Sequence, residues 1–173
     1  MKVIMYMAPT PNGMIARENY DESYVSAANW KLFVSSVKRI GNVIIGRKTF
    51  EVALKSGVFP IGGALNIVMT SSKIENRWPG RVIFVGRSPK QALKVLKDKG
   101  YKIAMVAGGS NVNSSFIKEH LIDELHLDFQ PEVFGRGTPL FAGKAFDAKL
   151  QLLGVTRLSK NEVQLRYRVV KKR

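Results

Sequence analysis

The chain contains no cysteine, which excludes disulfides, thiolate metal sites and a cysteine nucleophile. It has only two histidines, His120 and His126, too few for a histidine-rich metal centre, so no metal site is expected. Acidic residues are scarce: 13 Asp and Glu stand against 28 Lys and Arg, for a net charge of +15. No acidic cluster has the spacing of a calcium loop. No apolar run reaches the roughly 18–20 residues a membrane span needs. The opening Met1–Ala8 is too short for a signal-peptide core and reads as a first strand, so a cytoplasmic protein without a membrane partner is expected.

What is present fits one domain over residues 1–173. At that length a sizeable core can be buried, and 45% hydrophobic residues supply it. The charge excess calls for an acidic partner. Nucleic acid is not expected, because the cations are spread along the chain and no aromatics interleave with them. The local cluster of Arg166, Arg168 and the terminal Lys171-Lys172-Arg173 is read as part of a generally basic surface. A generally basic soluble surface accounts for the charge more readily than nucleic acid or phosphorylated small molecules as partner, and attraction of phosphorylated small molecules comes with it.

Short β-rich runs alternate with helical segments, which predicts an α/β domain. Strands are expected at Lys2–Ala8, "NVIIG", "ALNIVMTS", "RVIFVG" and "KIAMVAG". A helix is expected over Tyr24–Ile40, with Trp30, Phe33, Val34 and Val37 on one face. Ser88-Pro89 opens another that Gly100 stops, and Asn111–His120 forms a short third. "ELHLDFQPEVF", "LQLLGVTRLS" and "EVQLRYRVVKK" complete the pattern, the last two as an antiparallel pair joined near "SKN". Strands separated by helices are parallel, so a mostly parallel sheet with an antiparallel carboxy-terminal edge is expected.

Three strand ends carry anion-compatible groups. After "KIAMVA" comes Gly108-Gly109-Ser110-Asn111, then a helix. A helix start offers unpaired N–H groups and a partial positive charge, and glycines admit a phosphate close to the backbone. The same residues also suit a tight turn with Ser110 or Asn111 as a plain helix cap. After "VIIG" come Arg47, Lys48 and Thr49, two cations and a hydroxyl, which serve equally as a solvated strand end. After "NIVMT" come Ser71, Ser72 and Lys73, which could hold a phosphate monoester or form a simple loop. In a parallel sheet such ends share one edge, where a ligand with several phosphates could bridge them.

"VIIGRKTFE" resembles the strand–turn signature of dihydrofolate reductases. "VAGGSNVNSSFIKEHLIDELHLDFQPEVFGRGTPLF" is closer to the riboflavin-pathway reductases, the RibD carboxy-terminal domain family. The resemblance covers essentially the whole chain. It implies a dihydrofolate-reductase-like three-layer fold, with a mostly parallel central sheet flanked by helices and an antiparallel carboxy-terminal strand. It implies NADPH as hydride donor. Gly46, Arg47, Lys48 and Thr49 would hold cofactor phosphates. Ser71 and Ser72 would lie by the 2′-phosphate, with Arg47 or Lys73 near. Gly108, Gly109, Ser110, Asn111 and Val112 would line the pyrophosphate, and Ala8 and Ile15 would face the nicotinamide amide. The implied reaction reduces a small heterocycle, foremost a ribosylaminopyrimidine phosphate as in 5-amino-6-(5-phosphoribosylamino)uracil reduction. A pterin reductase and a non-catalytic nucleotide-binding module are the alternatives. A homodimer through the late strands is also implied.

The chain departs from both patterns. Where dihydrofolate reductases carry an acid on the first helix, it reads Ala28-Asn29-Trp30. Where the riboflavin-type reductases read Asp-Gly-Lys in the first loop, it reads Asn12-Gly13-Met14. Asn12 is a substrate-ligand candidate that also suits a plain turn. Trp30 is a pocket-wall candidate that also suits the core. No catalytic residue is assigned. Asp21 and Glu22 are read as a capping and solvated pair, Phe50 as core, and Asp123 and Glu124 as structural acids. "FGRGTPLF" could close over the nicotinamide or form a bulge or turn.

Overall fold

The computed structural model describes residues 1–143 and 145–171, so the last two residues of the basic tail, Lys172 and Arg173, lie outside the described part, as does Lys144. Strands β1 (Lys2–Met7), β3 (Asn42–Gly46), β4 (Leu65–Met69), β5 (Val82–Val85), β6 (Ile103–Val106), β7 (Glu124–Phe129), β9 (Lys149–Arg157) and β10 (Val163–Val170) form one eight-stranded sheet. Its order is β5-β4-β3-β6-β1-β7-β10-β9. The first six in that order are parallel, β10 pairs antiparallel with β7, and β9 pairs antiparallel with β10. This is the dihydrofolate-reductase-like architecture that the sequence predicts. A separate ribbon pairs β2 (Met14–Ala16) with β8 (Thr138–Pro139).

Helices α1 (Ala27–Ile40), α2 (Arg47–Lys55), α3 (Pro89–Asp98) and α4 (Ser110–Lys118) cover the sheet. Every residue of β3 and β4 is buried, as expected of parallel strands covered on both faces. Their side chains alternate between two clusters. Val43, Ile45 and Val68 join Val37 of α1 and Phe50 of α2. Ile44 and Ile67 join Leu96 of α3 and Phe116 of α4. Each such fully buried side chain contributes about 1.5–3 kcal/mol by leaving water.

Several boundaries differ from the sequence expectation. Helix α1 starts at Ala27, not Tyr24, because the Ser26 hydroxyl accepts from Asn29 N and sets the N-cap there. Tyr24 is instead buried and donates to Ala8 O at 2.6 Å. The turn after Gly46 extends into the full helix α2. Helix α4 starts one residue before the expected Asn111 and ends at Lys118, with His120 in the left-handed region. Strand β7 stops at Phe129, where Gln130 turns inward to bond Pro9 O and Ser26 N.

The connections create a switch point. Strand β3 leads into α2 on one face, whereas its neighbour β6 leads into α4 on the other. The two chains diverge at the strands' carboxyl ends, and a crevice opens between them.

Candidate functional site

The crevice brings the anion-compatible segments into contact. Gly46 N donates to Gly108 O at 2.8 Å. A Cβ on Gly46 would sit 2.8 Å from Val112 Cγ2, and one on Gly109 would sit 3.4 Å from Thr49 Oγ1. Arg47 Nη1 donates to the Ser72 hydroxyl, joining the β3 and β4 ends. Residues 46–49, 71–72 and 108–112 therefore share one rim. Gly108 has φ +84°, and a Cβ there would meet Met7 Cε at 3.1 Å, so both conformation and space call for glycine. The Gly108–Gly109 peptide is cis.

The plain-cap reading of Ser110 does not hold. Gly109 is the N-cap of α4, without a side-chain hydrogen bond, and Ser110 lies in the first turn. The Ser110 hydroxyl is buried, the residue being 7% exposed, and it has no hydrogen-bond partner among the described residues. Asn113 Oδ1, one turn on, is likewise unpartnered, although its amide donates to Leu140 O at 2.9 Å. Buried polar atoms without partners carry a desolvation cost, which a ligand of the right polarity removes. Arg47 and Lys48 are not bare cations. Glu51 accepts from Arg47 Nε at 2.7 Å and lies 3.2 Å from Lys48 Nζ, and the Arg47 bond chiefly holds its carboxyl below the usual range.

Beside this rim lies a cleft of about 770 Å³. Ala8, Ile15, Trp30, Thr49 and Ala107 line it, so the cleft continues directly from the anion rim. Trp30 also packs on Phe33, with ring centroids 5.4 Å apart. It serves as pocket wall and core at once. Phe50 is core, 4% exposed and packed edge-on against Phe59, Trp78 and Phe84.

Asn12 stands apart from the cleft lining. It accepts from the Thr10 hydroxyl at 2.7 Å and donates to Phe134 O at 3.0 Å, fastening the first loop to the "FGRGTPLF" segment. That segment runs along the loop as β8, with Leu140 N donating to Gly13 O at 2.7 Å. Gly137 permits the approach: a Cβ there would lie 2.2 Å from Ala16 O.

Two features escaped the sequence reading. The first is the place of Glu22, which is exposed as expected but stands at the cleft. There its carboxyl is raised from 4.5 to about 7. Desolvation by the crowding protein atoms is the larger cause, and the neighbouring Asp21 charge adds to it. Asp21 does cap its turn: Ser23 N and Ser23 Oγ donate to it, and these bonds hold it below the usual range. The second feature is a network behind the cleft. Buried Asp128 accepts from Tyr6 Oη at 2.5 Å, Asn29 Nδ2 at 2.9 Å and Gln164 Nε2 at 2.8 Å. Burial, then this bond, pushes the Tyr6 hydroxyl far above its ordinary value. Asn29, standing in the stretch where an acid was sought, is thereby committed to Asp128. Asp123 and Glu124 are structural: Asp123 pairs with Lys171 at 2.7 Å and Glu124 with Lys2 at 2.8 Å. Among the described residues, no three His, Asp or Glu gather where a metal could bind, and no helix is long and apolar enough to cross a membrane.

The family model for the RibD C-terminal domain matches residues 38–164. The chain belongs to this family. It is 30% identical over 172 residues to the uncharacterized protein YwjB of Bacillus subtilis (strain 168), covering 96% of this chain and 97% of that one. Its fold is similar to a putative riboflavin biosynthesis protein from Shewanella sp. PV-4, with a TM-score of 0.84 at 21% identity, covering 99% of this chain and 100% of that one. It also resembles a diaminohydroxyphosphoribosylaminopyrimidine deaminase/5-amino-6-(5-phosphoribosylamino)uracil reductase from Thermotoga maritima. There the TM-score is 0.74 at 21% identity, over 98% of this chain and 56% of that one.

Proposed function

We propose that this RibD C-terminal domain protein is an NADPH-dependent reductase of a small heterocycle, foremost a ribosylaminopyrimidine phosphate. One observation carries the reading. Three strand ends bearing glycine amides, hydroxyls and an arginine meet at one rim, beside a cleft large enough for a nicotinamide and a substrate together. The rim suits the cofactor chemically. The unpartnered Ser110 hydroxyl and the start of α4 match a pyrophosphate's acceptors, and Gly108 and Gly109 keep side chains out of its way. Arg47 and Ser72 would hold the 2′-phosphate that distinguishes NADPH from NADH, with Ser71 and Lys73 beside them.

When bound, NADPH supplies the hydride; the protein positions, orients and excludes water. Ala8 and Ile15 at the cleft wall would face the nicotinamide, and Trp30 and Phe33 would shape the space for a flat heterocycle. Reduction of a polar double bond also consumes a proton. Bonds from Ser23 hold Asp21 below the usual carboxylate range, whereas Glu22, at the water-exposed edge of the same cleft, has its carboxyl raised to about 7. Glu22 is therefore the group we assign to hold that proton.

The test is titration with both reduced dinucleotides, followed by their oxidation in the presence of aminopyrimidine and pterin substrates. Saturable NADPH binding, weaker NADH binding and turnover with a ribosylaminopyrimidine phosphate are expected. Binding of neither dinucleotide removes the reading, and binding without turnover on any substrate leaves a nucleotide-binding module.

The late strands support a homodimer. Leu150, Leu152 and Val155 on edge strand β9 are 44%, 53% and 59% exposed. By register they extend the row of Val169, Tyr167 and Leu165 on β10, the same face that is buried over β7. We infer that a second copy covers this face. Replacing Leu152 and Val155 with Asp should then yield a folded monomer in sedimentation, and an unchanged sedimentation coefficient would count against it.

A further inference from the structure

The opposite rim of the sheet holds a second cavity, of about 470 Å³. It lies where β3, β4, β5 and β6 begin, away from the anion rim at their carboxyl ends. Its lining is unusual in composition. Lys38 and Arg81 face it together with Gly41, Gly62, Gly63 and Gly80, and no carboxylate lines it among the described residues. All four glycines have positive φ, between 65° and 84°. Three separate turns thus present bare backbone to one hollow. A Cβ on Gly63 or Gly80 would meet nothing within 4 Å, so neither glycine is there to relieve crowding.

Neither cation of the hollow is paired with a carboxylate, a condition shared by most lysines and arginines among the described residues. Lys2, Arg17, Arg47, Lys48, Lys94 and Lys171 each have an acidic partner, whereas Lys38 and Arg81 have none among the described residues. The carboxyl end of α1 places a partial negative charge nearby, and Lys38 and Arg39 in its last turn offset it. The charged side chains of the lining are both cations. An arginine fork and a lysine point charge are the pair that tetrahedral oxyanions select. The volume falls within the range of small-molecule pockets, roughly 300–1,000 Å³, and exceeds what a bare phosphate ion fills.

We propose that this hollow is a second ligand site, which binds the phosphoryl group of a small phosphorylated molecule between Lys38 and Arg81. It is independent of the cofactor rim and does not rest on the reductase reading.

Amide spectra of the full-length ¹⁵N-labelled protein test it. Ribose 5-phosphate and inorganic phosphate are titrated separately, with sodium chloride at matched ionic strength as the control. Saturable shifts of the Gly41, Gly62, Gly63 and Gly80 amides are expected with ribose 5-phosphate. Shifts at Gly108, Gly109 and Ser110 report on the cofactor rim separately, so failure at one site is distinguishable from failure at the other. Equal affinity for inorganic phosphate means that the phosphoryl group alone is read, and weaker affinity means that the organic part is held too. Replacing both cations, Lys38→Gln with Arg81→Gln, should weaken binding by about tenfold or more, as loss of charged hydrogen bonds requires. Both side chains are exposed, and unchanged spectra elsewhere verify the fold. Shifts that fail to saturate, that chloride reproduces, or that survive the double substitution would overturn the proposal.

Discussion

Replacing Gly46 by alanine probes the junction on which the rim is built. The backbone at Gly46, φ −87°, suits alanine, so the effect is steric and not conformational. The new methyl would lie 2.8 Å from Val112 Cγ2, inside contact distance. Val112 is 8% exposed in the first turn of α4, where a β-branched side chain is held to one rotamer, so relief of the contact shifts that turn away from β3. The 2.8 Å bond from Gly46 N to Gly108 O would stretch with it. Overpacking of this kind costs about 1–3 kcal/mol, and in a chain of this size each kcal/mol lowers Tm by about 2–4 °C. Val112→Ala alone removes two methyl groups and should cost about 1–2 kcal/mol. Combined, the two should be less destabilising than their sum by about 1–2 kcal/mol, because the second substitution makes room for the first. Urea denaturation of the four proteins measures the coupling, and dinucleotide titration of the same set should show affinity falling and recovering in parallel. Strict additivity would mean that Gly46 is not held by this contact.

Arg47→Ala should weaken NADPH binding by about 10–100-fold, the loss of roughly 1.5–3 kcal/mol of charged hydrogen bonding, while leaving NADH unchanged; equal losses for both would refute the 2′-phosphate role. Glu51→Gln should tighten NADPH modestly by freeing Arg47 and Lys48 from their 2.7 and 3.2 Å pairs, and fluorescence titration reads both variants. Asp128→Ala strands the donors of Tyr6, Asn29 and Gln164, so about 3 kcal/mol or more should be lost in urea unfolding, with Asp128→Asn milder. For Glu22 the folded pKa, about 7, lies above the ordinary 4.5, so its contribution is complete below 4.5 and is lost as pH rises through 7. Glu22→Gln should therefore stabilise the protein relative to the parent above pH 7 but not below 4.5, as thermal melts at the two extremes would show.

The sheet was legible because parallel strands buried on both faces read as continuous apolar runs, as "NVIIG" and "LNIVM" do. The three anion segments were legible for a similar reason: parallel strand ends share an edge whatever the order, so local composition sufficed. What escaped was non-local. Asp128 alternates with apolar neighbours as any half-buried strand acid would, and its partners Tyr6, Asn29 and Gln164 come from three other elements. Glu22 looked merely solvated because the cleft it stands on is lined by residues of α1 and α2, which local sequence does not reveal. Ser110 invited a cap assignment because Ser is a strong N-cap former, and only the position of Gly109 shows that its hydroxyl is left over. Asn12 could be read as ligand or turn from the sequence; its bond to Phe134 O, more than a hundred residues away, was beyond local inference.

A crystal structure grown with NADPH shows where on the molecule the dinucleotide lies. The account predicts the pyrophosphate against the amides of residues 108–112, the 2′-phosphate between Arg47 and Ser72, and the nicotinamide in the cleft beside Ala8 and Trp30. A dinucleotide bound elsewhere on the molecule, or a rim that stays free of it at saturating concentration, would contradict the account.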